Sequence, residues 1–208
     1  MSENNQEAAQ LKEQLDPNGI LVAEFNYIAQ TAFQAHEDRA RVWQYYLATV
    51  GTFVIARFGT TGVRSERVNL IRMAFGVAFV MLAMVGYLTL RQLIRLRGAW
   101  IESARAMNQI KDFYADRLDL APAFRWRTTT LPKAGKKDSL AFMLALTVML
   151  VDTFALVLAL SFFGLAINEA RGLWAGIGVG GVAAVLSIIW QLRLYQRKLG
   201  GQPRAEES

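Results

Sequence analysis

Four long apolar runs, at about residues 43–58, 73–90, 140–167 and 173–192, restrict the folding of this chain more than any other feature. A helix rises about 1.5 Å per residue, so roughly 20 apolar residues cross a hydrocarbon layer of about 30 Å. Only a helix or a closed barrel satisfies its own backbone there, and runs of this length are helical. Hydrophobic residues make up 53% of the sequence, too many for a body facing water on all sides. The expected fold class is all-α: a four-span helical transmembrane bundle with cytoplasmic helical extensions. A soluble enzyme, a disordered chain and a disulfide scaffold are excluded. With no cysteine and one histidine, thiolate chemistry, Cys-ligated metal and His-rich metal sites are excluded as well.

Residues 1–20 are polar and acidic and end in the turn signal Asp16-Pro17-Asn18-Gly19, which predicts a flexible tail. From there Leu21, Phe25, Ile28 and Ala32 alternate at four and three residues, placing one apolar side on a cytoplasmic helix over 21–42. Neither Pro nor Gly interrupts the pattern before Gly51, so this helix is expected to run directly into the first span. Residues 43–90 form the first transmembrane hairpin, with Trp43, Tyr45 and Tyr46 at a headgroup boundary and a turn at Gly59-Thr60-Thr61-Gly62. Residues 91–139 read as a cytoplasmic helix, ended by Ala121-Pro122, and a basic loop. Residues 140–192 form the second hairpin, capped at Asp138 or Ser139 and turning tightly at 168–172, and 193–208 are a cytoplasmic tail.

Lysine and arginine set the orientation. A four-span layout places 18 of them on the side of the termini and central loop and 5 on the other, so both termini are expected in the cytoplasm of a bacterial inner membrane. Arg57, Arg64, Arg67 and Arg72 around the first turn run against this bias. The exits of spans two and four match at Arg91 with Arg193 and Arg95 with Arg197, which a shared cytoplasmic boundary explains without duplication.

Asp152 is the residue most informative about function, because a carboxylate within a span is costly and faces a partner, a cavity or a pathway. It lies on a seam of small residues, Ala141, Ala145, Val148, Asp152, Ala155 and Ala159, spaced for close helix packing. Two readings stand: an ion or proton site, or a polar bond between helices. Gly172, Gly176, Gly180 and Ala184 form a small-xxx-small series, a helix-packing signal that leaves open whether the partner is span three or a second copy. His36-Glu37-Asp38 does not converge on a metal, since successive helical positions diverge by about 100°; Glu37 and Arg41 are spaced as a helix-supporting pair. Arg125, Trp126 and Arg127 have the composition of an anionic-lipid contact. Positive-inside bias accounts for the net charge of +6, so no nucleic-acid partner is expected. There is no nucleophile with a base and an orienting group, and no catalytic residue, metal or cofactor is expected.

The run from Glu24 to Arg39, EFNYIAQTAFQAHEDR, leading straight into a span, resembles the N-terminal part of uncharacterised bacterial multi-pass membrane proteins. The order of cytoplasmic helix, membrane hairpin and returning helix over residues 21–120 is similar to SLATT-type pore-forming effectors; the second hairpin departs from their two-span pattern. The layout as a whole is read as a non-enzymatic, homo-oligomeric ion channel or pore-forming assembly with a cytoplasmic collar from 21–42 and 91–120. The alternative is an accessory subunit whose small-residue seams dock partner subunits in a larger membrane complex.

Overall fold

A computed structural model describes residues 17–59, 67–118, 127–131, 135–136 and 138–200. Among the described residues the fold is all-α, with four long helices and one short 3-10 turn. Helix α1 spans Pro17–Gly59, α2 Val68–Leu118, α3 Leu140–Ile167 and α4 Gly172–Gly200, with the 3-10 turn at Thr128–Thr130. Two compact units divide the chain: one holds residues up to Ala35 and from Ala99 to Leu131, the other His36–Gly98 and the residues from Pro132 onward.

Three of these helices, not four, are long and apolar enough to cross a membrane: α2, α3 and α4. The four-span layout is corrected at α1. Its stretch at 43–58 is diluted by Gln44, Thr49, Gly51 and Thr52 and interrupted by Arg57. This part of α1 still packs into the second unit through Tyr46, Val50 and Phe53. A second difference lies at the start of α1, where Pro17, Asn18 and Gly19 are already helical instead of forming a turn. Proline suits the first helical position, where its missing N–H has no intrahelical acceptor. Residues 1–16 and 60–62 of the expected tail and turn lie outside the described residues.

In the first unit, α1 turns toward its surroundings the side carrying Leu21, Phe25, Ile28 and Ala32, while Glu24, Gln30 and Gln34 are exposed. Tyr114 donates to Asn18 Oδ1 at 3.3 Å, and the Lys111 ammonium sits 5.8 Å from the Phe25 ring centre. The span and the amphipathic helix expected at 101–120 are one continuous helix. Its buried positions fall at spacings of three, four and seven in each unit taken by itself: Ile101, Ala104, Asn108 and Ala115 in the first, Phe79, Ala83, Leu90, Ile94 and Arg97 in the second.

In the second unit, one core cluster joins Tyr46 of α1, Leu90, Leu93 and Ile94 of α2, Ala145, Val148 and Met149 of α3, and Tyr195 and Leu199 of α4. Another joins Phe79, Leu82 and Ala83 to Ala155 and Ala159. Leu70, Val77, Met84, Phe154, Trp174 and Val182 are among the large apolar side chains left exposed, as hydrocarbon-facing surfaces require.

Ser139 is the N-cap of α3, its Oγ accepting from the Phe142 N–H at 3.2 Å, which selects it over Asp138. Asn168 closes α3: its N–H donates to Gly164 O at 2.9 Å and its Oδ1 accepts from the Ala170 and Arg171 N–H groups, both at 3.1 Å. That Asx turn reverses the chain within four residues. Arg72 fastens the start of α2 to the same turn, donating to Leu165 O at 3.2 Å and to Glu169 Oε1 at 2.7 Å. Arg57 lies 5.7 Å from the ring centres of both Phe75 and Phe162. Two of the arginines that opposed the charge bias are thus engaged by the bundle itself.

Candidate functional site

The α3–α4 hairpin explains how the central site is assembled. A Cβ at Gly176 would stand 2.6 Å from Leu160 O and from the Ser161 Cα, and one at Gly180 would stand 3.0 Å from the Val157 Cα. The glycine series Gly172, Gly176 and Gly180, with Ala184 buried beyond it, is therefore used inside the chain, against α3. These contacts set a register that places Asp152 level with about residue 185.

Gln191 lies about 9 Å farther along α4 at that register, taking about 1.5 Å per residue. The two side chains nevertheless meet. Helical side chains lean toward the N-terminus of their own helix, so in an antiparallel pair Asp152 leans toward Gln191 and Gln191 leans back. Gln191 Nε2 donates to Asp152 Oδ2 and also to Ser187 Oγ, the latter at 3.0 Å.

The surroundings of this pair are tight. Asp152 is 3% exposed, Gln191 1% and Tyr46 2%. A Cβ on Gly86 of α2 would stand 2.8 Å from Asp152 Oδ1, so only glycine lets the carboxylate come this close to α2. The Tyr46 hydroxyl lies within electrostatic range of Asp152. Asp152 Oδ1, Gln191 Oε1 and the Tyr46 hydroxyl each lack a hydrogen-bond partner. The seam residues Ala141, Ala145, Val148, Ala155 and Ala159 are buried on the same face of α3.

Tyr46 also lines a cleft of about 380 Å³, together with Asp38, Arg41, Thr49, Thr89 and Gln92. Elsewhere in the second unit aromatic rings pack together: Phe79 stacks on Phe162 at 5.6 Å between centroids, Phe75 meets Phe162 at 5.5 Å, and Phe53 meets Phe79 at 6.5 Å.

The remaining candidates fall elsewhere. Arg125 and Trp126 lie outside the described residues. Arg127 turns inward within the first unit, donating to Asp112 Oδ1 at 2.7 Å and to Asp116 Oδ1 at 3.1 Å, while Asn108 donates to its carbonyl at 3.1 Å. The Thr128 N–H donates to Asp112 Oδ2 at 3.1 Å. Burial pushes the Asp112 carboxyl up, but the hydrogen bonds from Thr128 and Arg127 outweigh it and hold the group below the ordinary carboxylate range. Arg41 pairs with Asp38 at 3.8 Å, an exposed contact of little energetic weight. His36 Nδ1 lies 2.7 Å from Arg39 Nη2. A guanidinium has only donors, so Nδ1 accepts and the ring proton belongs on Nε2. No metal-binding group of three or more His, Cys, Asp or Glu side chains occurs among the described residues.

Gln191, Ser187, Gly86 and Tyr46 are the site residues that pattern reading passed over. Only Gln191 left a signal, as an amide at the end of an otherwise apolar run.

No family model matches the chain, and no curated protein and no solved structure matches it.

Proposed function

We propose that the protein is an ion-conducting membrane protein of the channel type. The observation that carries the reading is the buried Asp152 carboxylate, whose Oδ1 lacks a hydrogen-bond partner, as does Oε1 of the Gln191 amide that bonds its other oxygen, in a unit whose buried Tyr46 also lines a cleft. Buried polar groups are normally paired, so such a group marks a place meant for a mobile species.

Asp152 is buried inside its own bundle, so the path lies within each protomer. The outer apolar faces meet lipid and further copies of the chain, and association into a homo-oligomer is part of the proposal. The end bearing Arg91, Arg95, Arg193 and Arg197 is the cytoplasmic one by charge bias. An accessory-subunit role gains no support from the glycine series, whose close-packing face is occupied by α3.

The test is ion flux through the purified protein in planar bilayers, comparing wild type with Asp152→Asn. Altered selectivity or pH dependence is expected. Unchanged conductance and selectivity would remove Asp152 from the path, and native mass spectrometry giving only the chain mass would remove the oligomer.

A further inference from the structure

We propose that the cleft between α1 and α2 holds one aminophospholipid of the phosphatidylethanolamine class, with its ammonium at Asp38, its phosphate at Arg41 and an acyl chain along the inner, apolar end. Neither Asp152 nor conduction takes part, so the lipid site and the channel can fail separately.

Polarity along the cleft carries the argument. The cleft encloses about 380 Å³, within the roughly 300–1,000 Å³ over which pockets hold small molecules. Its two helices run antiparallel, since Tyr46 shares a core cluster with Leu90 while Phe53 packs beside Phe79. Asp38, Arg41 and Gln92 therefore stand at one end and Thr49 and Val85 at the other, about 16 Å away along the helix from 38 to 49. The edge of the hydrocarbon crosses the same interval of α2. Val80, Met84 and Leu88 are exposed apolar side chains, and Arg91, Gln92 and Arg95 just beyond them are exposed polar ones. A molecule that is charged at one end and apolar at the other matches the cleft along its length.

Charge selects the headgroup. Asp38 and Arg41 lie 3.8 Å apart, and their side chains are 39% and 63% exposed. A pair this long and this open is held weakly, so each group can turn to a ligand. Together they are neutral and bipolar, as a zwitterion is, whereas an anionic headgroup would bring no cation to the Asp38 carboxylate. A guanidinium matches phosphate oxygens with paired donors. A primary ammonium donates charge-assisted hydrogen bonds to a carboxylate and a trimethylammonium has none to donate, which selects ethanolamine over choline.

The test titrates the full chain in detergent with phosphatidylethanolamine, phosphatidylcholine and phosphatidylglycerol of identical acyl chains, and counts bound lipid by native mass spectrometry. One phosphatidylethanolamine per chain is expected, half-saturating at a concentration roughly fivefold below the other two. Asp38→Asn is expected to erase the preference over phosphatidylcholine, and Arg41→Gln to weaken phosphatidylethanolamine roughly fivefold. Both side chains lie at the surface, so both variants are expected to keep the helical circular dichroism of the wild type. Phosphoethanolamine without acyl chains is expected not to displace the lipid at tenfold excess. Equal half-saturation for the three lipids would overturn the proposal, as would a preference that survives in Asp38→Asn, unweakened binding in Arg41→Gln, or displacement by phosphoethanolamine.

Discussion

Replacing Gly176 with alanine isolates the energy stored in the α3–α4 contact, because a matched control lies two residues away. A Cβ at Gly176 would meet Leu160 O and the Ser161 Cα at 2.6 Å, both backbone atoms that cannot rotate aside. Overpacking of this kind costs about 1–3 kcal/mol. A Cβ at Gly178 meets nothing within 4 Å. Both substitutions gain the same helix propensity, about 1 kcal/mol for glycine to alanine, so that gain cancels in the comparison. The gap between the two variants is therefore the overpacking cost itself, about 1–3 kcal/mol or roughly 5- to 150-fold in the unfolding equilibrium. Unfolding in detergent with increasing SDS, followed by circular dichroism, reads the gap directly. If Gly176→Ala proves as stable as Gly178→Ala, the glycine series does not pack against α3, and the register that brings Gln191 to Asp152 falls with it.

Other outcomes follow from contacts outside the hydrocarbon. Asp112 has its carboxyl held below the ordinary range in the folded state, so the stability it contributes is present above that range and is lost as pH falls through the lowered value. The protection factor of the Thr128 amide, its exchange rate taken relative to the intrinsic rate at the same pH, is expected to fall in acid and in Asp112→Asn at neutral pH; unchanged protection in both would refute the tether. Arg72→Gln is expected to lower the thermal midpoint more than Glu169→Gln, since Arg72 also donates to Leu165 O and to Asn69 Oδ1 whereas Glu169 is largely exposed. Equal midpoints would show that the Leu165 bond contributes nothing. Ser139→Ala removes the cap of α3 and is expected to cost about 1 kcal/mol in SDS unfolding; no loss would assign the start of α3 to its packing alone.

Periodicity carried the helical faces because burial in a bundle imposes its own spacing. Ala141, Ala145, Val148, Asp152, Ala155 and Ala159 lie on a buried face for the same reason that Leu21, Phe25, Ile28 and Ala32 do: positions three and four apart share one side of a helix. The length of α3 and the tightness of its turn were legible too, through Ser139 and Asn168. Periodicity within one helix says nothing about register against another. Gln191 meets Asp152 only because the turn at Asn168, the glycine contacts and the opposed lean of the two side chains combine, and no single stretch contains that information. Similarly, the interior of α1 over 43–58 has the length of a short span, but its threonines, glutamine and arginine leave it short of the apolar content that α2, α3 and α4 reach.

The two roles open to Asp152, a bond between helices and a group on an ion path, differ in what they require of its charge. As a bond, the residue needs only an acceptor for Gln191 Nε2, and an asparagine oxygen supplies one. Such interhelical bonds contribute about 0.6 kcal/mol on average within membranes, so Asp152→Asn would leave the hairpin nearly as stable as before. As a group on an ion path, the residue needs the negative charge itself, because the Gln191 amide beside it is neutral. The structure also places more polar atoms here than a bond uses: one contact joins Asp152 to Gln191, while Oδ1, Oε1 and the Tyr46 hydroxyl stay unpaired. A purely structural clamp gains nothing from those three atoms and bears their desolvation. A bundle that keeps its stability in Asp152→Asn but changes its ion selectivity or pH dependence would separate the roles, and would explain why a carboxylate stands at a position that an amide or a serine could hold together equally well.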